Sequence, residues 1–324
     1  MVIRARVAGV GHYLPERVVP NDWFATFLPT SDEWIRSRTG IERRHFAAEG
    51  EHTSDLAAAA ARATLEDAGM DVDAVDAIVV ATSTPDLTFP ATATIVQQKL
   101  GMTRGFAFDV QAVCAGFIYA LANASALIAS GQAERVLVIG AETFSRILNW
   151  EDRTTCVLFG DGAGAVVMEA YEGEGTSADR GILATDLHSD GRYREILQVS
   201  GGVSASRTTG HLMMAGKEVF RHAVEKLSAS TLAVLDKAGV GIDEVDRVVP
   251  HQANIRIIRR TAEKLNLPMD RVVVTVHDHG NTSAASIPLA MSVAAARGEL
   301  RRGEMVVTEA IGGGLAWGAV ALRW

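Results

Sequence analysis

Leu65-Glu-Asp-Ala-Gly-Met-Asp-Val-Asp-Ala-Val-Asp-Ala-Ile-Val-Val80 returns, 170 residues on, as Leu235-Asp-Lys-Ala-Gly-Val-Gly-Ile-Asp-Glu-Val-Asp-Arg-Val-Val-Pro250. The two stretches align without a gap. Each reads as the end of an amphipathic helix, an Ala-Gly stop, a short acidic turn and a buried Val-rich strand. The likeness continues downstream. Glu134-Arg-Val-Leu-Val-Ile-Gly-Ala-Glu142 resembles Gly303-Glu-Met-Val-Val-Thr-Glu-Ala-Ile311, and each follows a long Ala-rich helical stretch, Ala115–Ser130 and Ser283–Arg297. Each half closes on a Gly-rich turn and a strand, Phe159-Gly-Asp-Gly-Ala-Gly-Ala-Val-Val-Met168 and Gly312-Gly-Gly-Leu-Ala-Trp-Gly-Ala-Val-Ala-Leu322. Three such pairs in one order indicate internal duplication. The pattern predicts two α/β units, residues 1–170 and 171–324, with the Gly- and Glu-rich run Tyr171–Arg180 as a surface loop between them. Helices should pack between and outside two mixed sheets. Equivalent helix starts should face one cleft, which brings Cys114 near the start of the Ser283 helix.

Composition narrows the function. The chain has 324 residues, 48% of them hydrophobic, enough for one large core or two smaller ones. A net charge of −8 argues against nucleic acid as a general partner. Met1-Val-Ile-Arg-Ala-Arg-Val lacks a signal-peptide apolar region, and no apolar run suggests a membrane span. Two cysteines leave no disulfide framework and favour a reducing compartment, the cytoplasm.

Cys114 is the first candidate for chemistry. It lies in Asp109-Val-Gln-Ala-Val-Cys114-Ala-Gly-Phe, where an extended stretch, 105–113, runs into the Ala-rich helix. Free N–H groups and the helix dipole at that end favour a thiolate. Position alone leaves open a small buried hydrophobe. His251 follows a buried strand in Val249-Pro-His251-Gln-Ala-Asn254, at the strand end where α/β proteins gather catalytic groups. Asn281, in His277-Asp-His-Gly-Asn281-Thr-Ser, opens the second central helix and could equally be a cap. His277 and His279 lack a third ligand at useful spacing, so no metal is expected. Phe159-Gly-Asp-Gly-Ala-Gly164 lacks the Lys-Ser/Thr of a phosphate loop. Gly312-Gly313-Gly314 reads as a tight turn that brings a backbone N–H close to a ligand.

These pieces resemble the thiolase-fold condensing enzymes. Cys114, Pro250-His251-Gln-Ala-Asn254, Gly280-Asn281-Thr-Ser and Gly312-Gly-Gly-Leu-Ala-Trp-Gly318 occur in that order and spacing. More closely, the chain resembles the β-ketoacyl-acyl carrier protein synthase III family over its whole length. The early stretch Thr30-Ser-Asp-Glu-Trp34-Ile-Arg-Ser-Arg38-Thr-Gly-Ile-Glu-Arg-Arg-His45 belongs to the same pattern. The resemblance implies a thiolase-like fold, layered α-β-α-β-α. The Cys-His-His set of elongating synthases and the second catalytic cysteine of thiolases are not matched.

The resemblance also implies a reaction. Cys114 would take the acyl group of a short acyl-CoA, acetyl-CoA by expectation. Malonyl-acyl carrier protein would then lose CO₂, and His251 and Asn281 would donate hydrogen bonds to the enolate oxygen. The N–H groups of Cys114 and Gly314 would form the oxyanion hole for the condensation step. Neither metal nor organic cofactor is expected. By family match, Trp34 and Arg153 would sandwich the adenine of CoA, while Arg38, Phe220 and Asn254 would line the pantetheine tunnel. Phe89 would reach across a homodimer interface toward the acyl pocket, which residues 83–98 and 197–209 would shape. The basic residues Arg256, Arg259, Arg260 and Lys264 fall on one helix face opposite Ile258, Ala262 and Leu265. With Arg221 they would dock the acidic carrier protein, although Glu263 interrupts the face. Relatives in secondary metabolism use other acyl starters, which is the alternative reading.

Overall fold

The Val-rich runs that follow each Ala-Gly stop form parallel strands in two sheets of one topology. In the computed structural model, which describes residues 1–324, the first sheet has five strands. Their order is Val2–Tyr13, Gly162–Gly173, Arg135–Glu142, Ala77–Ala81 and Phe106–Val110. The second sheet runs Gly181–Ser189, Ala316–Arg323, Met305–Gly312 and Arg247–Pro250. A single parallel bridge, Val248 to Val272, stands where the first sheet has its edge strand Phe106–Val110. Ala77 pairs with Val136 in the first sheet and Arg247 with Val306 in the second, so both partners shift by 170. The duplication therefore extends to hydrogen-bond register.

Local chemistry sets the element ends. Helix Thr53–Ala68 stops at Gly69 and helix Gly216–Ala238 at Gly239, both left-handed with φ of 62° and 67°, where a Cβ would be strained. Helices Thr53–Ala68 and Thr92–Leu100 cover the outer face of the first sheet. Helices Gly216–Ala238 and Ile255–Lys264 cover the outer side of the second. Gly116–Ala129 and Ser286–Ala296 lie between the sheets, which completes five layers, α-β-α-β-α. The largest apolar cluster sits there and joins Ala120, Ala124, Ile287 and Ala290 to Val79, Val138, Val306 and Val320. Each fully buried Val contributes about 1.5–3 kcal/mol. Small side chains allow the close approach: a Cβ on Gly116 would lie 3.1 Å from the Ala81 Cβ and 3.4 Å from that of Ala284.

Two boundaries differ from the sequence reading. The central helices begin later, because each is preceded by a 3₁₀ turn, Val113–Ala115 and Ser283–Ala285. The expected loop at 171–180 is shorter, because strand Gly162–Gly173 continues to pair with Val2–Tyr13 as far as Val2 opposite Gly173. The division at 170/171 thus falls inside a strand, and the link between halves is 174–180. No helix is long and apolar enough to cross a membrane.

Candidate active site

Two matching kinks build the site. Val113 and Ser283, 170 residues apart, both have φ of +50°. Positive φ is costly for any side chain and most for a β-branched one, so packing must hold both turns. The first kink presents Cys114 at the head of its helix. The second follows Asn281 by two residues. Gly312 makes the first turn possible: a Cβ there would lie 2.6 Å from the Cys114 N and 2.7 Å from the Ala112 O. Backbone occupies both positions, so no larger residue fits.

Cys114, His251 and Asn281 line one cavity of about 480 Å³. They are 4%, 5% and 6% exposed, so the cavity's inner end is nearly closed to solvent. Trp34, Arg38, Phe220 and Asn254 line the same cavity, with Phe144, Phe159 and Leu197 as apolar wall.

Burial governs the charges. It pushes the Cys114 thiol up to about 12, and the nearby Glu142 carboxyl adds to the effect. The neighbouring Ser283 side chain opposes it. Desolvation therefore works against the helix end, which on its own favours the thiolate. Burial also lowers His251 to about 3, so its ring is neutral. His251 Nδ1 lies 2.6 Å from the Ser286 Oγ, and the His251 N–H donates to the Glu309 carbonyl at 2.8 Å. Asn281 uses its Oδ1 to accept the Ser283 N–H at 2.9 Å. Its Nδ2 is left as a donor pair at the cavity wall.

The surrounding shell was not legible in advance. Glu142 is fully buried, and its Oε2 accepts from the hydroxyl of Thr84 at 2.6 Å and the N–H of Ser83 at 3.1 Å. Its Oε1 accepts from the Ser283 hydroxyl at 3.0 Å, and the carboxyl is raised to about 7 by burial. The available signal was a carboxylate closing an otherwise apolar strand. Gln252, next to His251, spends its whole amide: Nε2 donates to the carbonyls of Pro250 and Val273, and Oε1 accepts from Thr275 and Val276 N–H. Of the glycine triplet, Gly312 is the residue that packs on Cys114, while Gly314 lies in the turn beyond, with φ +137°. Neither the Cys114 N–H nor the Gly314 N–H donates to a loop or turn carbonyl.

Known proteins share this fold. Residues 108–191 match the model for 3-oxoacyl-[acyl-carrier-protein (ACP)] synthase III, and residues 235–324 match the model for its C-terminal part. The sequence is 71% identical to a β-ketoacyl-[acyl-carrier-protein] synthase III of Ruegeria pomeroyi and 70% identical to one of Cereibacter sphaeroides. Both matches span 324 residues and cover 100% of each chain. The crystal structure of the 3-oxoacyl-[acyl-carrier-protein] synthase III of Aquifex aeolicus superposes with a TM-score of 0.93 at 45% identity, covering 99% of this chain and 100% of that one. The chain belongs to the β-ketoacyl-acyl carrier protein synthase III family. It is a thiolase-fold condensing acyltransferase.

The outer cavity of this synthase III is cationic and aromatic. The guanidinium groups of Arg38 and Arg153 lie 4.6 and 5.1 Å from the Trp34 ring centroid. Arg153 also donates to the Pro29 carbonyl. Asn254 caps helix Ile255–Lys264 by accepting the Arg256 N–H at 2.8 Å, and its Nδ2 donates to the Arg38 carbonyl at 3.3 Å. The basic helix face forms with Ile258 and Ala262 buried beneath it. Arg256 departs from that face: it lines the cavity, 5.8 Å over the Phe220 ring. Arg260 pairs with Glu263 at 2.9 Å. Arg221, Arg260 and Lys264 share an adjoining groove, and Arg259 is exposed on the same helix. Phe89 is 83% exposed and does not line the Cys114 cavity. Residues 83–88 and 197–199 line a second cavity, which shares Val113, Phe144 and Leu197 with the first.

Proposed function

We propose that the chain joins a short acyl group, acetyl by preference, to malonyl-acyl carrier protein and so starts fatty acid synthesis. The convergence of Cys114, His251 and Asn281 on one nearly closed cavity carries the reading. Cys114 Sγ attacks the thioester of acyl-CoA; the S–acyl bond forms, the bond to CoA sulfur breaks, and the thiol proton leaves with CoA. Malonyl thioester then loses CO₂. The electron pair of that bond becomes an enolate, whose oxygen accepts from His251 and the Asn281 Nδ2. The enolate carbon attacks the acyl-cysteine, and the N–H groups of Cys114 and Gly314 receive the oxyanion. Collapse breaks the bond to Cys114 Sγ and releases the 3-oxoacyl carrier protein and a thiolate, which takes up a proton from water to return Cys114. These steps use no metal and no organic cofactor.

Trp34 and Arg153 hold the adenine of CoA, Arg38, Phe220 and Asn254 the pantetheine arm. Arg221, Arg259, Arg260 and Lys264 dock the carrier protein, and Arg256 guides the arm at the cavity mouth. The halves on either side of the 174–180 link divide the work: the first carries the nucleophile, the second the donors. The enzyme acts as a homodimer in the cytoplasm. Exposed Phe89 and the free edge strand Phe106–Val110, with Phe106 and Phe108 stacked at 6.4 Å, support that pairing. Sedimentation as a concentration-independent monomer refutes it.

Intact-protein mass spectrometry with acetyl-CoA tests the reaction. The wild type should gain one acetyl group and lose it to malonyl carrier protein, while Cys114→Ser gains none. Loading of Cys114→Ser overturns the nucleophile. Absence of acetyl uptake, with loading by a longer, branched or aromatic acyl-CoA, overturns the acetyl preference.

A further inference from the structure

We propose that Ser286 is a positioning residue that fixes the tautomer of His251, holding the ring proton on Nε2 where it meets the substrate oxygen. The inference rests on the condensing reading above. Ser286 is 2% exposed, and its Oγ has two neighbours: the His251 Nδ1 at 2.6 Å and the Gln252 N–H at 3.2 Å. The amide can only donate, so Oγ accepts from Gln252. Its single proton then has one available acceptor, the Nδ1 lone pair. With a proton on Nδ1 instead, both neighbours would donate into Oγ and the buried hydroxyl proton would have no partner, a penalised state. The satisfied network places the proton on Nε2.

Ser286 does not cap its own helix. The helix Ser286–Ala296 has Ala285 as its N-cap, with no side-chain cap bond. The duplication sharpens the point. Shifted back by 170, His251 and Ser286 correspond to Ala81 and Gly116, whose Cβ positions would stand 3.1 Å apart. The first half packs two small residues at this strand–helix contact. The second half replaces that contact with a hydrogen bond that sets a donor.

The tautomer can be read in the resting enzyme, without substrate. Long-range ¹H–¹⁵N correlation spectra of enzyme labelled at histidine, with His251→Gln for assignment, should show His251 protonated on Nε2 across neutral pH. Ser286→Ala should give a mixture of tautomers, and Ser286→Thr should restore Nε2–H. Condensation kcat should fall by about tenfold or more in Ser286→Ala, up to roughly the 10²-fold of a lost oxyanion donor. Acyl transfer from acyl-CoA to Cys114 should change by less than about twofold, since that oxygen is served by backbone N–H groups. A wild-type ring protonated on Nδ1 overturns the proposal. So does an unchanged condensation rate in Ser286→Ala, or equal damage to both half-reactions. The tautomer is read on the wild-type enzyme itself, and His251→Gln serves only to assign the signal. Failure of the condensing reading would show separately, as absence of acyl loading from any acyl-CoA.

Discussion

Asn281→Asp exchanges one hydrogen-bond donor for an acceptor and keeps the side chain's size. The Asn281 Oδ1 accepts the Ser283 N–H at 2.9 Å, and an aspartate oxygen can keep that bond. The backbone is pinned independently: its N–H donates to the Leu158 carbonyl at 2.9 Å, and its carbonyl accepts from the Gly160 N–H at 3.0 Å. The substitution therefore removes the Nδ2 donor and puts an oxygen in its place. Loss of one preorganised donor lowers a rate by about 10²–10³, or ~2.7–4 kcal/mol. Repulsion between the new oxygen and the developing enolate adds to this. The assay separates the half-reactions, with acyl loading followed by intact mass and CO₂ release followed from malonyl carrier protein. Loading should stay within about twofold of wild type, while decarboxylation falls at least ~100-fold. A parallel fall in loading, or CO₂ release within about fivefold of wild type, would falsify the assignment of Asn281 to the enolate.

Gly312→Ala should abolish acyl loading and destabilise the fold by about 1–3 kcal/mol, because its Cβ would stand 2.6 Å from the Cys114 N; wild-type loading and melting temperature in the variant would exclude this. Arg221→Glu with Lys264→Glu, both in the groove outside the cavity, should raise KM for malonyl carrier protein several-fold and spare acyl-CoA loading; equal damage to both would remove the docking assignment. Glu142 and Glu309 are buried and raised from 4.5 to about 7, so between those values the folded state holds protons that the unfolded chain has released. Their contribution is therefore full below pH 4.5 and lost as pH rises through 7, about 3 kcal/mol for each. Glu142→Gln should flatten the decline in urea midpoint from pH 5 to 8, and an equally steep decline would contradict the burial argument.

The fold was readable because duplication leaves a trace in sequence order. The Leu65–Val80 and Leu235–Pro250 stretches carry the same helix stop and strand, and the register of their strands keeps the same offset. That Cys114, His251 and Asn281 belong together was readable because they sit at ends of strongly patterned elements, and they line one cavity. Electrostatics were not readable. The helix end beneath Cys114 is visible in a sequence, but the burial that pushes its thiol up to about 12 is not. Arg256 has the spacing of a docking residue, yet the side chain lies over Phe220 at the cavity wall. Periodicity assigns a residue to a helix face, and only tertiary packing decides what that face meets.

The same duplication explains why the site needs both halves. Glu142 and Gly312 occupy equivalent strand ends, 170 residues apart. Each serves the kink of the opposite half. Glu142, in the first half, accepts the Ser283 hydroxyl and so braces the turn beside Asn281. Gly312, in the second half, leaves room for the Cys114 turn. Two identical halves would place either two carboxylates or two glycines here. Two glycines would leave the Ser283 hydroxyl without its acceptor, and a carboxylate in place of Gly312 would strike the Cys114 N. Divergence at this pair, and at the Ala81–Gly116 contact that becomes His251–Ser286, lets a symmetric scaffold present Cys114 from one half and His251 with Asn281 from the other.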